Sequence, residues 1–110
     1  MDQISVVATV VDDRGIADLL AASAVTGRLA ACAQVGGEVE STFRWRGSVQ
    51  IAREWSVWFK TAIDRVAALV EHVRAQHPYE TPEILVFRVD ACPNYSAWVI
   101  EQTRPSPPAA

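Results

Sequence analysis

The sequence predicts one α+β domain of the form β-α-β-β-α-β followed by a C-terminal helix. Three observations predict it. Half of the 110 residues are hydrophobic and 21% are charged, a globular composition with enough chain for one core and little to spare. β-branched runs alternate with segments of helical period. Two long alternating segments, 39–47 and 49–61, sit side by side in mid-chain with a glycine at their junction, which reads as a hairpin. The domain is expected over residues 1–103, and the stretch 104–110 ("RPSPPAA") is expected to be a disordered tail, because it offers no large apolar side chain to offset the entropy of ordering it.

Taken in order, Ile4 to Val11 ("ISVVATVV") is a buried strand. Asp12 and Asp13 supply a helix N-terminus, where carboxylates satisfy free N–H groups. Ile16, Leu19 and Leu20 give that helix an apolar stripe, and Gly27 is the expected residue beyond its end. A second strand starts at Leu29 and bends or bulges at Gly36-Gly37. It resumes as "VESTFRWRG", with Val39, Ser41, Phe43 and Trp45 on one face. Gly47-Ser48 is the expected turn into "VQIAREWSVWFKT". There Trp55, Val57 and Phe59 share a face and Trp58 points the other way, so both faces of the sheet are expected to be covered, the second by another copy of the chain. Thr61 or Asp64 is expected to cap the next helix, where Val66, Leu69, Val70 and Val73 follow an i, i+3, i+4, i+7 pattern. Pro78 ends it, and Pro82 opens the strand "EILVFRV". A short helix over residues 94–102 carries Tyr95, Trp98 and Val99. Two β-α-β halves joined by a hairpin make a ferredoxin-like sandwich.

The formal charge of −3 argues against non-specific nucleic-acid binding, which needs a basic face. The interleaved Arg44-Trp45-Arg46 resembles a single-strand binder's pattern, but strand alternation yields it equally well. Ile4 to Val11 is too short for a membrane span and lacks the basic start of a secretory leader, so a cytoplasmic protein with no membrane partner is expected. Its two cysteines, Cys32 and Cys92, are expected as free thiols.

Few residues suggest chemistry. His72 and His77 are five apart, about 140° around a helix at ~100° per residue, so they are not a zincin pair, and no phosphate-binding glycine loop occurs. His77 serves either as a ligand or as a donor to a last-turn carbonyl. Cys32 is either a small buried side chain or a soft thiolate for copper, with His77 and Glu83 as further ligands. Lys60 on the Trp58 face needs a partner, for which Glu83 is the candidate. A hydrolase using His77 and Glu83 lacks a nucleophile paired with a base, and no enzymatic activity is expected.

Several stretches together resemble the CutA divalent-ion-tolerance family: "GRLAAC" (27–32), "STFRWRG" (41–47), "FKT" (59–61), "HPYETPEI" (77–84) and Tyr95-Ser96-Ala97-Trp98. Their order fits over roughly residues 4 to 102. The resemblance implies a ferredoxin-like subunit in a tight cytoplasmic homotrimer, similar in architecture to the PII signal proteins, associated with tolerance of copper and other divalent cations. Carried over by motif, it implies a metal set of Cys32, His77 and Glu83, an intersubunit pocket of Trp45, Lys60 and Tyr79, and trimer packing through Phe43, Trp55 and Trp58. Phe43 stands where the family usually has Tyr. The alternative is a PII-like signalling trimer that binds a small anionic metabolite in the intersubunit cleft.

Overall fold

A computed structural model of the chain describes residues 1–105. Strand β1 (Asp2–Val11) is followed by helix α1 (Arg14–Thr26), and strands β2 (Cys32–Trp45) and β3 (Ser48–Thr61) form the hairpin. A 3-10 turn (Ile63–Arg65) leads into α2 (Val66–Gln76), then come β4 (Ile84–Ala91) and α3 (Pro93–Gln102). The sheet order is β2-β3-β1-β4 with every neighbour antiparallel, the interleaved order of a ferredoxin-like sandwich.

Side-chain alternation assigns the two faces. Val7, Val11, Val57 and Phe59 point to the layer of α1 and α2, where they close on Ala17, Leu20, Ala24, Leu69 and Val73 in the core. Trp55 shares this face, as its alternation with Val57 and Phe59 predicts, and packs partly buried against the core. On the other face Ile4, Val6 and Ala8 are also buried. There α3 contributes, with Ser96 Oγ donating to Asp2 Oδ2 at 3.2 Å. Trp58 stacks on Phe87 of β4 with ring centroids 6.1 Å apart and planes 4° from parallel, yet the two rings stay 45% and 42% exposed.

Local details depart from expectation for identifiable reasons. Asp13 caps α1, its Oδ1 accepting from Ile16 N at 3.0 Å. Gly27 ends α1 at φ −79° and the left-handed residue is Arg28, at φ 59°. Glycine at 27 answers instead to space, since a Cβ there would lie 3.1 Å from the Ser23 carbonyl oxygen. The second strand begins at Cys32 and not Leu29, because the Leu29 and Ala30 N–H groups both turn back to the Ala24 carbonyl. The hairpin turn is Arg46-Gly47, one residue earlier than expected. Both residues have positive φ between the paired Trp45 and Ser48, the two-residue type I′ geometry that suits strand twist. The register slip between Val35 and Glu38 places the bulge at Gly36-Gly37 as expected. Neither Thr61 nor Asp64 caps α2. Thr61 Oγ1 instead donates to the Leu29 carbonyl at 2.7 Å, and Asp64 accepts from both Nη atoms of Arg104 at 2.8 and 2.6 Å. Arg104, the first residue of the expected tail, is thus tied to the domain, and residues 106–110 lie outside the described range.

Leu69 is fully buried between α2 and the sheet, whereas Leu19 of α1 is 68% exposed. Leu69→Ala should therefore cost about 2–5 kcal/mol in chemical denaturation, and Leu19→Ala should stay within about 0.5 kcal/mol. Equal losses would misplace the core.

Candidate functional site

The "HPYETPEI" segment is built around His77. The proline at 78 pushes His77 out of the helix to ψ 133°, which turns its ring back onto the end of β1. Nε2 lies 2.9 Å from the Val10 carbonyl oxygen and 3.1 Å from Thr9 Oγ1, and Nδ1 receives the Tyr79 backbone N–H at 3.2 Å. A carbonyl can only accept and a backbone N–H can only donate, so Nε2 carries the proton and Nδ1 is the acceptor. Both ring nitrogens of His77 are thereby engaged, and the bond goes to a strand carbonyl, not to the last turn of α2. Burial holds its pKa below the usual histidine value, opposed by the Val10 carbonyl and the nearby Asp12 and Glu54.

Tyr79 follows in the same chain of contacts. Its ring meets His77 edge-on, with centroids 4.7 Å apart, and its hydroxyl donates to Glu54 Oε2 at 2.7 Å. Burial first, then the hydrogen bond to Glu54, drives the Tyr79 hydroxyl well above its ordinary range. Glu54 is a nearly buried carboxylate on β3. It escaped sequence analysis because it occupies an ordinary polar slot of an alternating strand. Arg46 at the hairpin turn holds Glu80 at 2.9 Å, so the segment runs beside the hairpin arm. Glu83 contributes its backbone carbonyl, which accepts from Thr9 Oγ1 at 2.6 Å, while the residue itself is exposed.

Cys32 belongs to a different place. It is a half-buried free thiol paired across the ladder with Lys60. Burial first, and the nearby Cys32 second, hold the Tyr95 hydroxyl above its usual pKa. Lys60 Nζ donates to Gln34 Oε1, so its partner within the chain is Gln34 and not Glu83. On β1 the Lys60 row meets Val6, about four residues or ~13 Å from the His77 contacts at Val10. Trp45, under the Arg46 guanidinium 5.4 Å from its ring centroid, stands at the far end of the hairpin. Twelve strand positions, or ~40 Å, separate its partner Ser48 from Lys60. Within one chain the structure therefore joins His77 to Tyr79 and brings Cys32 beside Lys60, and it separates those two pairs from each other and Trp45 from Cys32 and Lys60. Among the described residues no group of three or more His, Cys, Asp or Glu side chains converges on a point that could hold a metal ion. Cys32, His77 and Glu83 do not make such a site inside one chain.

Fold and site together define a ferredoxin-like domain whose chemistry-bearing residues are divided between the two ends of its sheet. The profile of the CutA1 divalent ion tolerance protein family matches residues 5–102, and the chain belongs to that family. It is 35% identical over 88 residues to "Protein CutA 1, chloroplastic" of Oryza sativa, covering 79% of this chain and 50% of the relative. It is 34% identical over 88 residues to the divalent-cation tolerance protein CutA of Yersinia pestis, covering 79% of this chain and 74% of the relative. Among solved structures, the divalent cation tolerance protein of Thermus thermophilus superposes with TM-score 0.87 at 32% identity, over 94% of this chain and all of that one. The chain spans about half the length of its plant and mouse relatives. No helix among the described residues is long and apolar enough to cross a membrane.

The sign of the His77 shift yields a test. The unfolded chain takes up the imidazole proton first, so this contribution to stability is full above the ordinary histidine pKa of 6.5. It is lost as pH falls through the depressed folded value. Between about pH 8 and about pH 5, wild type should lose more melting temperature than His77→Asn; His72 is present in both proteins and cancels. Parallel curves would show that His77 is not held neutral.

Proposed function

We propose that the protein is a homotrimeric, non-enzymatic divalent-cation response protein of the cytoplasm, with copper its foremost ion. The observation that carries the reading is membership of the divalent ion tolerance family together with a half-buried free thiol, Cys32, on the edge strand β2. A thiolate favours Cu(I) and other soft ions over Mg²⁺ or Ca²⁺, which need oxygen-rich cages. The trimer is supported by the apolar side chains left in the open: Trp58, Leu85 and Phe87 on the sheet, and Phe43, Val49 and Ile51 on the hairpin arm, more than a lone subunit ordinarily displays. Because no metal set closes among the described residues of one chain, Cys32 and Lys60 of one copy would meet Glu83 of another, with Trp45 and Tyr79 lining the same boundary. His77, whose nitrogens are both engaged, positions Tyr79 there.

Copper titration against a competing chelator under reducing conditions tests the reading. Cys32→Ser should weaken binding about tenfold or more, Cys92→Ser should leave it unchanged, and affinity should fall with pH as the thiolate takes up a proton. His77→Asn should lower stability and spare affinity; loss of affinity there would make it a ligand after all. Sedimentation equilibrium should return three times the chain mass of 12.0 kDa, and Trp58→Ala should shift it toward the monomer. Equal affinity in wild type and Cys32→Ser, or a stable wild-type monomer, overturns the proposal.

A further inference from the structure

Two residues of the matched stretches that the cation reading leaves unused meet at one place. Arg28, from the stretch 27–32, and Trp98, from the stretch 95–98, line a single surface pocket of about 200 Å³ between the end of α1 and the face of α3. Thr26 and Gln102 add a hydroxyl and an amide to its wall, and Ala30 and Ala31 leave room for an occupant. Aromatic, cationic and hydrogen-bonding groups around a concave space of this size are the ingredients of a small-molecule site.

The charge around the pocket is out of keeping with the chain. The protein carries a formal charge of −3, yet Arg28 lines this pocket, Arg65 reaches the Arg28 carbonyl beside it, and Arg65 and Arg104 both act on one carboxylate, Asp64. Arg104 already holds Asp64 with both Nη atoms and keeps its carboxyl below the usual carboxylate range. None of the ion pairs among the described residues uses Arg28 or Arg65. Arg65 donates through Nη2 to the Arg28 carbonyl at 3.4 Å, the outer limit of a hydrogen bond, while its Nε is buried without a partner.

The backbone makes the same point independently. Arg28 sits at φ 59°, where glycine is the default residue and a side chain is strained. Glycine lies one position earlier at an ordinary φ. Such strain is found where a side chain is needed in place, and here it delivers the Arg28 side chain to the wall of the pocket.

We propose that this pocket binds a small organic anion, its charged group held by Arg28 and its planar portion laid against Trp98. The guanidinium fork suits a carboxylate or phosphate, and the indole face accepts a flat ring. The site is complete within one chain and so differs from an intersubunit cleft, and it stands whether or not the protein binds copper.

The test follows the Trp98 indole and Arg28 side-chain N–H resonances while phenyl phosphate, inorganic phosphate or phenol is added at constant ionic strength with a metal chelator present. Phenyl phosphate should shift both signals saturably and bind about tenfold or more tighter than either fragment probe. Arg28→Gly should weaken it about tenfold or more, Trp98→Leu should weaken it comparably, and Arg44→Ala on the hairpin should leave it unchanged. Arg28→Gly also relieves the positive φ, so its melting temperature should not fall; if it does, Arg28→Asn, which tolerates this backbone, replaces it. No saturable shift, as when another copy covers the pocket, overturns the proposal. So does undiminished binding in the Arg28 variant, or equal affinity for inorganic phosphate, which would mean an adventitious ion only.

Discussion

The second half of the fold hangs on two hydrogen bonds at the end of β1. His77 Nε2 donates to the Val10 carbonyl and Thr9 Oγ1 donates to the Glu83 carbonyl. Consecutive residues of one strand thus hold both ends of the connection between α2 and β4. Two prolines inside that connection remove most of its remaining freedom. With its ends tied and its middle stiff, Tyr79 is delivered to Glu54 and Glu80 to Arg46, which braces the base and turn of the hairpin arm. The same anchorage sets where β4 enters the sheet, since Ile84 pairs with Thr9.

How much of this could be read from residues alone depends on the range of the interaction involved. Period-two and helical patterns report on neighbours a few positions apart, and they located the strands, the helices, the bulge and the core face of α2. The helix stop before Pro78 was equally plain, because the constraint is covalent. The hairpin turn was misplaced by one residue since Gly47 satisfies either register, and only the pairing of Trp45 with Ser48 decides between them. The caps of α2 failed for a different reason. Thr61 and Asp64 are good capping residues, but Leu29 and Arg104, each more than 30 positions away, claim their side chains.

The candidate site was legible as a set of residues and not as a set of contacts. Motif resemblance picked out Cys32, Lys60, His77, Tyr79 and Glu83 without saying which share a volume. Strand length decides that. A hairpin of two 14-residue strands carries Trp45 far from Lys60, and the 10-residue β1 separates the Cys32 row from the His77 contacts. Glu54 and Gln34, the partners that Tyr79 and Lys60 find, lie on strands where a polar residue is due at alternate positions. Nothing in their spacing marks them.

The division also gives the chain two chemically different ends. Near the start of β2 stand Cys32, Lys60 and Tyr95, with Arg28 and Arg65 close by around the end of α1. Beyond the end of β1 stand Asp12, Glu54, Glu80 and Glu83, with His77 kept neutral among them. If copies associate end to side as proposed, the cations at one end would be drawn to the carboxylates at the other, and such complementarity sets orientation more than strength. The strength has to come from elsewhere, and the exposed Trp58, Phe87, Val49 and Ile51 provide apolar area at about 25 cal/mol per Å² once covered. Charge would then fix which surfaces meet while burial holds them, so a cation site assembled at the boundary would depend on both. A single folded chain has neither in place.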